Sequence, residues 1–141
     1  LEQGVEFVLS SFRRMQGGEI FIPKIPSMKI IDLARALAPE RGHHIIGVRP
    51  GEKIHEVLCS SDESNLLVEF DDYFLVRPSV SGMGERSVSE SIDYRKDVDD
   101  NIGRDVSHGF EYNSGTNNRF LTHQELIDIV DIIADEEPRF W

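Results

Sequence analysis

Ile45-Ile46-Gly47-Val48-Arg49-Pro50-Gly51-Glu52-Lys53-Ile54-His55-Glu56 is a short apolar run that ends on an arginine, turns through Pro50-Gly51 and restarts in a charged segment with helical spacing. This pattern predicts a buried strand that hands its polar tip to a ligand, followed by a helix. An arginine at a strand end can present a planar fork of donors to two phosphate oxygens, which a lysine cannot do. Glu52, one tight turn later, would sit near first-turn amides, where a negative charge is favoured and where it could also accept from vicinal hydroxyls. Arg49 and Glu52 together therefore suit a nucleotide with a diphosphate and a ribose. On the residues alone, a surface ion pair or a capped helix start fits the same spacing.

Outward from this turn the chain alternates helix and strand. Val5, Val8, Leu9 and Phe12 recur at helical spacing, with Arg13 and Arg14 at the negative end of the dipole and Gly17-Gly18 as the stop. Glu19-Ile20-Phe21-Ile22 reads as a short strand ended by Pro23 and Pro26. Ser27 is the expected N-cap of a helix over about 28–37, closed by Pro39. Residues 43–48 are the strand leading to Arg49, and 53–58 a short helix. Helix, strand, helix, strand, helix predicts an α/β fold.

Farther on, Leu66 to Phe70 and Tyr73 to Arg77 flank Asp71-Asp72, a hairpin with a two-residue loop. The stretch 79–108 is rich in Ser, Gly, Asp and Arg and reads as an extended or mobile arm. Residues 112–118 are turn chemistry. Thr122 with Glu125 then forms a capping box for a last helix with Leu126, Ile129, Val130 and Ile133 on its apolar stripe. The expected organisation is an α/β core over 1–78, the arm over 79–108, and a turn with its helix over 109–141.

Composition limits the function classes. One domain's length, 141 residues, carries 39% apolar residues, enough for a core. A net charge of -11 argues against a basic face for nucleic acid or anionic membrane, so an anionic ligand must be held by a few placed cations. With one cysteine, Cys59, there is neither an intrachain disulfide nor a cysteine-rich zinc site, and the natural reading is a reducing compartment, the cytoplasm. The five histidines show no metal-ligand spacing. No Gly-x-Gly-x-x-Gly follows either early strand. Tyr73, Tyr94 and Tyr112 are followed four places later by Arg77, Val98 and Thr116, so the Tyr-x-x-x-Lys pair that moves a proton beside a nicotinamide is missing too.

Phe21-Ile22-Pro23-Lys24-Ile25-Pro26-Ser27-Met28-Lys29-Ile30 and Gly47 through Glu56 resemble the C-terminal part of the sugar-nucleotide 4,6-dehydratases of bacterial polysaccharide and flagellin-glycan synthesis. Within these, the phrases are most similar to the inverting type that acts on UDP-N-acetylglucosamine for pseudaminic acid. The hairpin through Phe70 and the phrase Phe110-Glu111-Tyr112-Asn113-Ser114-Gly115-Thr116-Asn117 share the resemblance. It implies an extended short-chain dehydrogenase/reductase in which an N-terminal Rossmann domain holds NADP and the catalytic residues. A smaller C-terminal domain closes over the nucleotide sugar. This chain would then be the small substrate-binding domain, with short strands, helices and a β-hairpin and without the Rossmann domain, and inactive alone.

By the same resemblance Arg49 grips the diphosphate, Glu52 bonds the ribose hydroxyls, and Lys24 and Ser27 lie in a family-like loop, Lys24 as a further substrate contact. The partners implied are a UDP-sugar, the Rossmann domain and other copies in a homo-oligomer, with no nucleic acid and no membrane. The rival expectation is a non-catalytic interaction or oligomerisation module without nucleotide binding.

Overall fold

The computed structural model describes residues 2–79 and 92–136. Its chain divides into two compact units, the first from the described residues of Leu1–Lys24 and Val57–Tyr112, the second from those of Ile25–Glu56 and Asn113–Trp141.

The first unit is built on an antiparallel sheet ordered β1-β4-β3-β5, with β1 at Ile20–Pro23, β3 at Leu67–Glu69, β4 at Tyr73–Val76 and β5 at Arg104–Asp105. The hairpin predicted around Asp71-Asp72 is its centre. Glu69 pairs with Phe74 and Val68 with Leu75, and the Phe70 amide donates to the Tyr73 carbonyl at 2.9 Å to close the loop. All four β4 residues are buried because alternate side chains feed two clusters. Phe74 and Val76 join Ile22, Leu67, Cys59 and Tyr112 on one face. Tyr73 and Leu75 join Val68 and Phe70 on the other, where Phe7 of α1 (Glu2–Arg14) and Phe21 also pack. Phe70 stacks on Tyr73 with ring centroids 4.5 Å apart. The helix ends where Gly17 and Gly18 take φ of 129° and 84°, a conformation that glycine adopts without cost. A second sheet pairs β2 (Val57–Cys59) with β6 (Tyr112–Asn113).

The strand and helix expectations differ from the structure in four places. Residues 43–48 form no strand: among the described residues no backbone hydrogen bond reaches 42–48, and Ile45, Ile46 and Val48 are 87%, 70% and 59% exposed. A strand needs a partner, and β propensity alone does not supply one. Residues 53–58 form no helix, since Val57 and Leu58 enter β2. Ser27 does not cap α2, which spans Ile30–Leu37 with Lys29 at its N-cap position and no side-chain cap. Ser27 instead donates its amide to the Arg119 carbonyl at 2.9 Å and accepts from the Leu121 amide at 2.8 Å, in a parallel bridge to Phe120. Of the expected arm, 80–91 lie outside the described residues, while 92–108 contribute β5 and the loop before it to the first unit. The fold is mixed α and β, and every pairing in the main sheet is antiparallel.

In the second unit α2 packs on α3 (His123–Glu136). The capping box predicted at Thr122 is present: the Glu125 carboxylate accepts from the Thr122 amide at 2.8 Å, and the Glu125 amide donates back to the Thr122 hydroxyl at 3.3 Å. Leu126 of its apolar stripe is buried, whereas Ile129 and Ile133 keep 38% and 56% of their surface.

Candidate functional site

Arg49-Pro50-Gly51-Glu52 folds as a type II turn. Proline presets φ at the second position, and Gly51 at the third carries φ of 86°, which a side chain would resist. The Glu52 amide donates to the Arg49 carbonyl at 3.0 Å and closes the turn. Glu52 then closes it a second time, its carboxylate accepting the Arg49 amide at 2.8 Å while its other oxygen stands 3.7 Å from the Arg49 Nε. Both side chains are open to solvent, Arg49 at 72% and Glu52 at 49%. An arginine fork and a carboxylate acceptor thus share one rigid turn, although the turn follows an extended segment and not the expected strand tip. The pair can offer donors to an anion and an acceptor to a hydroxyl, side by side.

Lys24 is placed elsewhere. It belongs to the first unit, pairs with Glu69 at 2.7 Å and lies 4.8 Å from the centre of the Phe74 ring, so its charge is already engaged. Ser27 is buried, and its hydroxyl takes a hydrogen bond of 3.0 Å from the Asn117 amide group. The structure therefore brings Arg49 and Glu52 together, pairs Lys24 with Glu69 and buries Ser27.

An enclosed polar cluster around Asp97 was not expected from the sequence. Asp97, 8% exposed, accepts from the amides of Asp99 and Asn101 and the Asn101 side chain at 2.9 Å each, and from the Tyr73 hydroxyl at 3.3 Å. Arg14 lies 3.9 Å from the same carboxylate and 5.0 Å over the Tyr73 ring. Burial works to raise the Asp97 pKa, but the donors from Asn101, Asp99 and Tyr73 outweigh it and hold the carboxyl below its ordinary range. Burial first, then the Asp97 charge, pushes the Tyr73 phenol well above its usual value, so it stays protonated. With its acceptor sites taken, this cluster ties the loop 93–103 to the hairpin. The spacing Asp97-x-Asp99-x-Asn101, with short polar side chains that bond nearby amides, is the sequence signal for it.

Cys59 is 1% exposed, and burial, with Glu63 and Glu111 adding to it, pushes its thiol up to about 11. A thiol so rarely ionised is a core residue and no nucleophile. Among the described residues no group of histidines, cysteines and carboxylates could hold a metal ion, and no helix is long and apolar enough to cross a membrane.

A family model described as polysaccharide biosynthesis protein matches residues 1–78, more than half of the chain, and the chain belongs to that family. More particularly, it is 49% identical over 131 residues to the UDP-N-acetylglucosamine 4,6-dehydratase (inverting) of Campylobacter jejuni subsp. jejuni, covering 93% of this chain and 38% of that protein. It is also 35% identical over 80 residues, 54% of this chain and 24% of the relative, to the UDP-glucose 4-epimerase of Rickettsia canadensis. The chain thus spans well under half the length of the curated relatives it matches, as the resemblance to a C-terminal portion implies. In fold it is similar to the solved structure of Pen from Bacillus thuringiensis, with a TM-score of 0.65 and 23% identity, over 94% of this chain and 36% of that one.

Proposed function

We propose that this chain is the nucleotide-sugar-binding portion of a UDP-N-acetylhexosamine 4,6-dehydratase, a hydro-lyase that makes a 4-keto-6-deoxy sugar nucleotide for surface polysaccharide or flagellin glycan. The observation that carries this reading is the rigid exposed turn in which Arg49 and Glu52 stand side by side. Arg49 takes the diphosphate and Glu52 the ribose hydroxyls, and Lys24, paired with Glu69, is a further substrate contact. Holding the non-reacting end of the substrate places the sugar ring for chemistry carried out by the rest of the parent enzyme. That chemistry is hydride transfer through NADP. The residues here do not fit a dinucleotide, with neither a Gly-x-Gly-x-x-Gly turn nor a Tyr-x-x-x-Lys pair in the chain, so its binding is assigned to the remainder of the parent.

The parent is read as a cytoplasmic homo-oligomer, and this portion alone as inactive. A role as a mere assembly module is not favoured, because relatives that match the chain are named as enzymes. The test is titration of the full-length parent with UDP by calorimetry. Arg49→Ala should weaken binding by about 1.5–3 kcal/mol, the scale of a hydrogen bond to a charged group. Unchanged affinity would remove Arg49 from the site.

A further inference from the structure

The turn at Arg49 lies within a stretch, 42–56, that forms neither helix nor strand and whose residues are all exposed. Its internal bonds hold the turn's shape but not its place. Ser114 ties this stretch to the rest of the second unit by two hydrogen bonds at Glu56. The Ser114 amide donates to the Glu56 carbonyl at 2.8 Å, and the Glu56 amide donates to the Ser114 hydroxyl at 3.0 Å. Two bonds to the same peptide neighbourhood from residues 58 apart in sequence fix both distance and direction. Beside them the ring of His55 lies where a side chain on Gly115 would have to go, 2.7 Å from that position.

Ser114 is itself well held. The Asn113 side-chain oxygen accepts from the amides of Gly115 and Thr116 at 2.8 and 2.9 Å, an Asx turn that sets the loop. Asn117 then reaches the Ile25 carbonyl at 2.7 Å, so the loop continues into a segment anchored on the start of the unit. From this geometry we infer that Ser114 is a positioning residue for nucleotide binding: it holds the Arg49–Glu52 turn at a fixed place through Glu56 and touches no ligand itself. This inference rests on the binding role of the turn.

The experiment is UDP titration of the full-length parent in five forms: unaltered, Ser114→Ala, Ser114→Thr, Arg49→Ala, and Ser114→Ala in the Arg49→Ala background. Loss of the hydroxyl should weaken UDP binding by about 2- to 10-fold, the span of one net hydrogen bond. Threonine, which keeps the acceptor, should restore it. In the Arg49→Ala background Ser114→Ala should have a smaller effect, because only the Glu52 contact is left to lose, a coupling that a general loss of stability would not produce. If Ser114→Ala binds UDP as the unaltered protein does while Arg49→Ala is weakened, the inference is overturned and the binding role of the turn stands. If Arg49→Ala is not weakened, the binding role itself fails. Should Ser114→Ala not fold, hydrogen exchange on the unaltered protein decides: UDP must slow exchange in 49–56 and 113–116 together, and protection confined to the first segment overturns the inference.

Discussion

Tyr73-Phe74-Leu75-Val76 and Ile45-Ile46-Gly47-Val48 are both short apolar runs with strand propensity, and they end in opposite conditions. The first is the central strand of a sheet with neighbours on both sides and every side chain buried. The second has no ladder at all, and Ile45 keeps 87% of its surface. Both are rich in β-branched or aromatic residues, although Gly47, at φ of 81°, weakens the second run. What further separates them is the partner, which for β4 is supplied by a two-residue loop and by β1, and for 45–48 by nothing among the described residues. Order in the first unit is therefore a property of packing, whereas order around Arg49 is a property of one turn and its anchors.

The comparison breaks most visibly if truncation costs the same in both runs. Phe74→Ala removes a ring 3% exposed and packed against Phe110 and Tyr112, and should lower stability by about 3–5 kcal/mol in urea unfolding. Ile45→Ala should stay within about 0.5 kcal/mol, the range of surface changes. A large loss at Ile45 would mean that the exposed run is packed after all.

Glycines sharpen the same contrast. A Cβ at Gly103 would lie 2.6 Å from the Val68 side chain and 2.8 Å from the Phe70 ring, so Gly103→Ala should destabilise the first unit by about 1–3 kcal/mol through overpacking. At Gly51 nothing lies near the added carbon, but φ is 86°. Gly51→Ala should cost about 1–2 kcal/mol of backbone strain, felt at the turn. Its measurable sign is weaker UDP binding in the parent together with a lower urea midpoint, whereas Gly103→Ala should move the midpoint alone.

Local chemistry was legible in the sequence. The Asp71-Asp72 hairpin, the Gly17-Gly18 stop, the Thr122–Glu125 box and the Pro50-Gly51 turn each depend on residues a few places apart, and each forms. What the sequence concealed depends on distant partners. Ser27 reads as a cap, but its backbone is claimed by Arg119 and Leu121. Residues 53–58 read as a helix, but Val57 and Leu58 pair with a segment that begins at Tyr112. Lys24, a substrate contact by resemblance, gives no local sign of its ion pair with Glu69, 45 residues on. Asp97 went unnoticed because its donors, although close in sequence, matter only once Tyr73 and Arg14 enclose them.

The second unit's own fixed end offers the finest test of the comparison. At the start of α3, Glu125 accepts from the Arg119 side chain first of all, and from the Thr122 amide and hydroxyl, and these hold its carboxyl down to about 2 from an ordinary 4.5. A depressed pKa stabilises the fold when the group is ionised, so the cap is fully present above the unfolded value of 4.5 and is lost as pH falls through about 2. Far-UV circular dichroism of the protein and of Glu125→Gln should therefore differ in helix content above pH 4.5 and converge by about pH 2. Other carboxylates titrate in the same range, and the difference between the two proteins removes them. Because Glu125 is at the surface, the separation should be the smallest of these effects. If the two curves run parallel throughout, α3 is held by its packing on α2 and not by its cap, and the second unit then resembles the first more closely than its exposed turn suggests.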